Sequence, residues 1–541
     1  MSHEIRADYE QSFLFPPCLE DWVGADHPAR FLREFVEALD LTELGFEEHV
    51  SAEGRPPYAN DLLLKVWLYG YLGRIRATRQ LEKACKEHVS LLWLTGLHAP
   101  DHNTLWRFWH ENRGALRKVF RACVKVAAGQ GLIGMICHAV DGTKIRAVAS
   151  RRTMEHQEDL EKVLGRVEEE LGKMEAEIEA AELAPGGDYR LPEGLREAEK
   201  LRAKILESLS YMRQAERAHL HPQEREARLM PCEGRQEPAY NAQAVADAQA
   251  GIIVAAEAVK EESDNAQLIP MREETAANLG GVAQTTLADG GYVSGEQLQE
   301  AEERGQAVLV AAGGEKGGPQ RGEYDATKFT YDEAGDEVLC PQGQRLRFEG
   351  MINKGGQRQV RRYRCEHCAA CPARALCSRR KDGRRIEISP QYGALLRQRA
   401  KRQDPVQKAL LRRRSVIIEP VFASVKQAMG FRRWTVRGLD NVRTQWALLC
   451  TAHNLKKLYQ RWATGRRVGE EKKLYAGGTT GQGAGKPNSP SQGATALLPR
   501  PATARFLPRW ATGGKLRHGL RSLRELLSPS LCTAPTRACE G

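Results

Sequence analysis

TTLADGGYVSGEQLQEAEERGQAVLVAA, residues 285–312, reads as a strand, an acidic turn, a helix and a second strand in immediate succession. The apolar run TTLA ends at Asp289, and Ser294 stands where a helix cap would. QLQEAEE carries the helical spacing, and AVLVAA is short and apolar enough to be a buried strand. Units of this kind wind into α/β sheets. Before this stretch, residues 265–280 read as a helix. PAYNAQAVADAQAGIIVAAEAVK, residues 238–260, reads as two strands with a turn at AQA helped by Gly251. Further upstream, MICHAVDGTKIRAVAS, residues 135–150, is rich in β-branched and small residues and reads as a largely buried strand followed by a hairpin partner, with Asp141 at its polar end. The order is strand, strand, strand, helix, strand, helix, strand, helix. It predicts an α/β fold around a mixed sheet, with long insertions after the first and last strands.

The flanking regions differ in character. Residues 15–130 show helical stripes such as Phe31, Leu32, Phe35, Val36 and Leu39, then Leu62, Leu63, Val66, Trp67 and Tyr69, and predict an all-α domain. Within it, LEKACKEHVSLLWLTGLHAPDHNTLWRFWHENR, residues 81–113, reads as two helices around a Gly-containing turn. The second begins near Asn103 or Thr104 and carries Arg107, His110 and Arg113. A helix-turn-helix would lay such a helix in a DNA major groove. An ordinary helical hairpin with Trp106 and Trp109 in its core fits the spacing equally well. In residues 152–213, Leu160, Leu164, Val167, Leu171, Met174 and Ile178 recur in coiled-coil steps, and Leu201, Ile205 and Met212 follow the loop APGGDYRLPEG. These predict an antiparallel helical hairpin.

Charge and cysteine usage narrow the function. A net charge of +11 and a pI near 9.0 favour a polyanionic partner, nucleic acid first. Neither a signal peptide nor a membrane-length apolar run is visible, so a cytoplasmic protein with no membrane partner is expected. Residues 379–414 hold thirteen Lys and Arg against three acids, a density suited to phosphate contacts. Of thirteen cysteines, five crowd between 340 and 377, which argues for a local metal site over a disulfide framework. Cys365, Cys368, Cys371 and Cys377, spaced x2, x2, x5, with Cys340 upstream, suit structural zinc. The last gap departs from the common iron-sulfur spacing.

Three acids stand out as candidates for chemistry. Asp141 and Asp289 each end a predicted strand, and Glu419, in IIEPVFASVKQAMGFRRW (residues 417–434), reads as opening an amphipathic helix. Carboxylates on separate elements are suitable ligands for magnesium or manganese, and two such ions serve phosphodiester chemistry. Lys426, seven residues after Glu419, would share its helix face and touch a phosphate. Phe431, Arg432, Arg433, Trp434 and Arg437 mix cations with aromatic faces as a DNA-contacting segment would.

VDGTKI, YNAQAVAD, ADGGY, EPVFASVKQAMGFRRW and WALLCTAHNLKKL follow one another in an order that resembles the DDE transposases of bacterial insertion sequences, over roughly residues 10–460. The resemblance implies an RNase H-like mixed sheet flanked by helices, with Asp141, Asp289 and Glu419 as its catalytic, metal-binding acids. It implies DNA contacts from Lys426, Arg414, Arg432, Arg433 and Arg107, and metal-dependent cleavage at element ends with strand transfer into target DNA. Double-stranded DNA is the expected partner, with a homodimer on it, and the protein would associate with the nucleoid when bound. Of the related signature Tyr-x2-Arg-x3-Glu-x6-Lys, only Glu419 and Lys426 are met. Arg412 and Ser415 occupy the Tyr and Arg positions, with Arg414 as the substitute cation, and residue 290 is Gly where relatives often have a basic residue. The expected divisions are a helical DNA-binding domain (10–130), a first core segment (134–150) and the helical-hairpin insertion (151–230). A second core segment (231–313), a Cys-rich basic insertion (314–405), the C-terminal catalytic helix region (406–462) and a disordered tail (463–541) follow. A catalytically silent DNA-binding relative and a general RNase H-like nuclease are the alternatives.

Overall fold

A computed structural model describes residues 18–47, 56–183, 194–311, 328–354, 358–378 and 382–476, with a few single residues between them. The expectations for residues 10–17 and 477–541 lie outside the described residues.

Among the described residues, six α-helices form the N-terminal body: α1 (Pro28–Glu37), α2 (Asn60–Leu72), α3 (Thr78–Glu87), α4 (Val89–Thr95), α5 (His102–Glu111) and α6 (Arg113–Gly129). Gly96 ends α4 in the left-handed conformation at φ 58°, as a helix C-terminus favours. The cap of α5 is Asp101, whose carboxylate accepts the Thr104 N–H at 2.6 Å, so the helix starts before the expected Asn103 or Thr104. Asn112 separates α5 from α6. Arg113 therefore belongs to α6, where its guanidinium pairs with Asp440 at 3.1 Å. Trp109 is buried against Trp67, while Trp106 is exposed beside His110, so only one of the two tryptophans serves the core.

The mixed α/β body follows. Strand β1 (Cys137–Arg146) pairs antiparallel with β5 (Arg235–Asp247), Asp141 opposite Ala244. Its partner is thus not a hairpin strand following directly within residues 135–150, as expected, but one that returns after the helical insertion. That insertion carries a short pair, β2 (Glu155–His156) with β3 (His219–Leu220), and helices α7 (Gln157–Leu183) and α8 (Leu195–Gln214). Ion pairs Arg202–Glu168 and Arg213–Glu161 run in opposite sequence directions and fix α7 and α8 as antiparallel. Strand β4 (Arg228–Cys232), not anticipated, turns back into β5 through Glu233 and Gly234, both at positive φ, the geometry of a tight hairpin. Beyond β5 come β6 (Ile253–Val259), α9 (Leu268–Leu279), β7 (Thr285–Ala288), α10 (Gly295–Glu303) and β8 (Val308–Val310). The sheet order is β4-β5-β1-β7-β8, with β6 also on β5. β1, β7 and β8 are parallel, while β5 opposes β1 and β6.

The cysteine-rich region, expected as a basic insertion, holds a second sheet. β9 (Thr330–Asp332), β10 (Glu337–Leu339), β11 (Arg345–Lys354), β12 (Arg358–Cys365) and β13 (Arg385–Ile388) form a five-stranded antiparallel meander, with α11 (Arg374–Cys377) in the excursion before β13. Helix α12 (Tyr392–Gln403) leads to α13 (Pro405–Ala423), which lies across β1, β5 and β7, and α14 (Leu439–Ala476) packs on β6 and α6. Asn454 on α14 accepts from the Ile253 N–H at 2.9 Å and donates to its carbonyl at 2.8 Å, pairing a helix side chain with strand backbone. α14 also carries ordered helix past residue 463, where the tail was expected to begin.

Candidate active site

Asp141 stands midway along β1, which runs on to Arg146 instead of ending there as expected, and Asp289 stands just past the C-terminal end of the parallel neighbour β7; the two line one cleft of about 280 Å³. Crevices at strand ends are where α/β sheets bind ligands. Asp141 accepts the Gly142 N–H at 2.8 Å through Oδ1 and the Arg414 guanidinium at 2.7 Å through Oδ2. Burial raises the proton affinity of Asp141, and the Asp289 charge adds to that effect, while Arg414 opposes it. Asp289 caps the 3₁₀ turn Gly290–Tyr292 by accepting the Gly291 N–H at 2.9 Å.

A third cleft carboxylate, Asp264, was missed in the sequence. It sits in the turn between β6 and α9, and its Oδ1 accepts from Lys144 at 2.9 Å, Asn241 at 2.6 Å and Gln243 at 2.7 Å. Gln243 in turn accepts from the Tyr292 hydroxyl, so one hydrogen-bonded chain joins Asp264 to the turn that carries Asp289. Burial holds the Tyr292 phenol well above its ordinary range, and the charges of Asp264, Asp141 and Asp289 push the same way. The glycines of DGT and DGG follow from this crowding: a Cβ on Gly142 would lie 2.7 Å from Asp264 Oδ1, and one on Gly291 would lie 3.0 Å from Asp289 Oδ1. The only sequence signal for Asp264 was the polar triplet Ser263-Asp264-Asn265 at a strand end, indistinguishable there from a turn former.

Glu419 is placed differently from its expectation. It does not open a helix: α13 begins at Pro405, capped by Asp404, which accepts the Val406 N–H at 2.8 Å, and Glu419 lies near the other end beside Pro420. At 3.6 residues per turn, Glu419 is about 140° around the helix from Arg414, which faces Asp141. Its side chain is exposed and lies outside the lining of the cleft. Lys426 does line the cleft, with its proton affinity lowered by burial. The two do not share a face because residues 424–428 form a π-helical turn, closed by Met429 N–H to the Ser424 carbonyl at 2.8 Å, and the wider turn lets the helical phase slip.

The other expected DNA contacts are largely engaged inside the protein. Arg432 pairs with Glu233 at 2.7 Å and lines the cleft. Arg433 donates to the carbonyls of Ala147 at 3.0 Å and Val148 at 2.6 Å. Phe431 and Trp434 are buried rather than DNA-facing, and the Trp434 indole donates to the Ile145 carbonyl at 3.1 Å. Arg107 lines a separate cavity of about 470 Å³ in the N-terminal body with Tyr58, Asp101 and Glu111.

Cys340, Cys365, Cys368, Cys371 and Cys377 converge on one small cavity of about 20 Å³ as free thiols. Backbone N–H groups of Gln344 and Arg384 point at the sulfurs of Cys340 and Cys368, at 3.3 and 3.4 Å. Burial pushes the Cys365 thiol up to about 11. Among the described residues, no group of three or more His, Cys, Asp or Glu side chains is set to hold a metal ion. At the cleft the donor chemistry fits a hard cation, since Asp141 and Asp289 present oxygen ligands, and burial, with the Asp289 charge adding to it, raises the proton affinity of Asp141. As placed, neither Glu419 nor the cysteine sulfurs complete a coordination shell.

Residues 339–459 match the family model described as Transposase DDE domain, and residues 17–111 match that described as Transposase domain (DUF772). No curated protein and no solved structure matches the chain. Among the described residues no helix is long and apolar enough to cross a membrane.

Proposed function

We propose, taking as premise the DDE transposase of an insertion sequence that both family matches support, that the chain cuts DNA at element ends and joins the freed 3′ hydroxyl to target DNA. The observation that carries this reading is the pair Asp141 and Asp289 on adjacent parallel strands, facing one cleft with Lys426 at its margin. An RNase H-like core is supported by the strand order β6-β5-β1-β7-β8, antiparallel for the first three and parallel for the last three.

Magnesium or manganese held by Asp141 and Asp289 would activate the attacking oxygen and stabilise the leaving one. The protein's own groups supply the rest. The turn Gly290–Tyr292, tied through Gln243 to Asp264, fixes the direction of the Asp289 carboxylate. Lys426, partly desolvated at the cleft wall, holds a phosphate oxygen in line. Arg414, paired with Asp141, is the guanidinium placed to contact a substrate phosphate were that carboxylate to hold a cation instead. Glu419 is the third acid by resemblance, and bringing it to the cleft requires α13 to turn and Arg414 to let go. Structural zinc at the five cysteines requires their sulfurs to draw together from the present arrangement. One zinc per purified chain, released by mercurial titration of the thiols, supports it, and a metal-free folded protein rules it out. A homodimer on double-stranded DNA in the cytoplasm or nucleoid completes the reading.

The test uses duplexes ending in the inverted repeats that flank the coding region, with manganese present. Wild type cleaves and joins, while Asp141→Ala and Asp289→Ala do neither. Equal inertness of wild type and Asp289→Ala would leave a silent DNA-binding relative. Cleavage indifferent to end sequence, without joining, would leave a general nuclease.

A further inference from the structure

Beside the acid cleft lies a second groove of about 500 Å³, lined by Arg146, Arg151, Arg152, Arg235 and Arg433 against a single acid, Glu237. Arg146 also lines the acid cleft, so the two depressions meet at its side chain. Three parts of the fold build this surface. The end of β1 supplies Arg146, whose Nε is buried without a hydrogen-bond partner. The segment after β1 supplies Arg151 and Arg152. It is held by Ser150, which accepts the Arg152 N–H at 3.3 Å through its hydroxyl, and by the Thr153 hydroxyl, which lies 2.8 Å from His221 Nε2. The β4–β5 turn divides its charges between the depressions: Glu233 lines the cleft and pairs with Arg432, whereas Arg235, just past the turn, lines the groove.

Among the described residues no carboxylate pairs with Arg146, Arg151, Arg152 or Arg235, while Arg414 and Arg432, which line or face the cleft, are paired with Asp141 and Glu233. Five guanidiniums held around one concave surface repel one another, and one carboxylate cannot balance them. The geometry points to a ligand that brings a row of negative charges. We propose that this groove carries the sugar-phosphate backbone of the DNA strand as it leaves the acid cleft, with Arg151, Arg152 and Arg235 each holding a phosphate. Guanidinium suits that task because its fork of donors matches phosphate oxygens two at a time. The contacts are to backbone and carry no sequence preference, in contrast to readout by a groove-reading helix. This inference rests on the transposase reading, since it takes the cleft to hold a phosphodiester.

Fluorescence anisotropy of the full chain with a labelled duplex of unrelated sequence, over a series of KCl concentrations, tests it. The variant R151Q/R152Q/R235Q should bind at least about tenfold more weakly, and its plot of log affinity against log salt should be shallower by about 2 to 3, one unit for each phosphate no longer neutralised. These side chains are exposed, so its melting temperature should equal wild type. R151K/R152K/R235K keeps the charge and should keep the slope. R196Q/R202Q/R213Q removes the same charge from α8 and should bind as wild type. Equal losses in the groove and α8 variants reduce the effect to net charge and overturn the proposal, as does unchanged binding by the groove variant. Loss of binding to anionic phospholipid vesicles with duplex binding intact would reassign the groove to a membrane surface. Wild-type protein that cleaves element ends while the groove variant binds DNA normally sinks the groove alone; wild type that binds no duplex sinks the transposase reading with it.

Discussion

The central sheet and the cysteine-bearing sheet have similar numbers of strands and opposite means of support. Strands β1 and β5 are buried along most of their length, and the helices over them contribute Trp446, Ile418 and Val421, with Phe431 and Trp434 from the α13–α14 connection. Among the described residues, the meander β9–β13 gathers a small buried cluster of Phe329, Val338, Leu346, Tyr363, Cys365, Ile386 and Ile388, with Val360 also buried. Its remaining order comes from charge. Asp336 accepts from the hydroxyls of Tyr363 at 2.6 Å and Tyr331 at 3.1 Å and pairs with Arg361, while Glu349 pairs with Arg385 and Glu387 with Arg362. Apolar burial supports the first sheet and polar bonding the second, so they should fail under different conditions.

The largest expected effect is on the central side. Trp446 is fully buried, and its indole donates to the Gln243 carbonyl at 2.8 Å, so Trp446→Ala should cost about 3–5 kcal/mol in denaturant unfolding. A loss below about 1 kcal/mol would mean that α14 is not what seals that sheet. On the other side, Tyr363→Phe keeps the ring and removes one bond to a carboxylate. About 1.5–3 kcal/mol should be lost, confined in hydrogen exchange to β11 and β12. If the loss spread to β1 and β5, the two sheets would be one cooperative unit.

Opposite responses to pH sharpen the contrast. Glu274 on α9 is pushed from an ordinary value of 4.5 up to about 7, by burial first and the Glu257 charge second. Its folded state holds the proton more tightly, so the stability it contributes is complete below 4.5 and is lost as pH rises through about 7. The slope is about 1 kcal/mol per pH unit, and Glu274→Gln should flatten it. Asp336 goes the other way. Burial alone would raise it, but the bonds from Tyr363 and Tyr331 and the charge of Arg361 hold it low. Its stabilisation is present above the ordinary carboxylate range and lost as pH falls below it. Protection factors in β12, corrected for the intrinsic pH dependence of exchange, that rise on acidification would contradict this account. The smallest effect lies on the helical insertion, where Arg202 and Glu168, both about half exposed, meet at 3.6 Å. Arg202→Ala should change stability by less than about 1 kcal/mol in thermal unfolding.

What could be read from the sequence follows the same division. The central strands were legible because they are apolar runs with turn signals, and Asp141 and Asp289 because each ends such a run. The outer strands were not: β11 and β12 are LRFEGMIN and QVRRYRC in their inner parts, too charged to show as buried strands without the cysteines and Asp336 drawn around them. Glu419 was misplaced because Glu-Pro resembles a helix start, while the true start, Asp404-Pro405, lay hidden in a basic run. Its phase relation to Lys426 then depended on a π-helical turn that no local residue announces. Asp264 could not be singled out because its importance is entirely spatial, lying in the space left by two glycines.

The hydrogen bond from Ala147 N–H to the Pro238 carbonyl, 2.8 Å long, stands where the chain leaves β1 and rejoins it through β5. For folding this is a long wait: the two strands that define the sheet cannot pair until a loop of about 90 residues has closed. The loop, however, is not slack. α7 and α8 meet through local contacts and need no sheet to do so, and β2 and β3 draw their bases together. A helical hairpin that forms first brings residue 156 beside residue 219 and leaves only short connections to close. The insertion thereby acts as a splint, turning a slow, distant encounter of β1 with β5 into a near one.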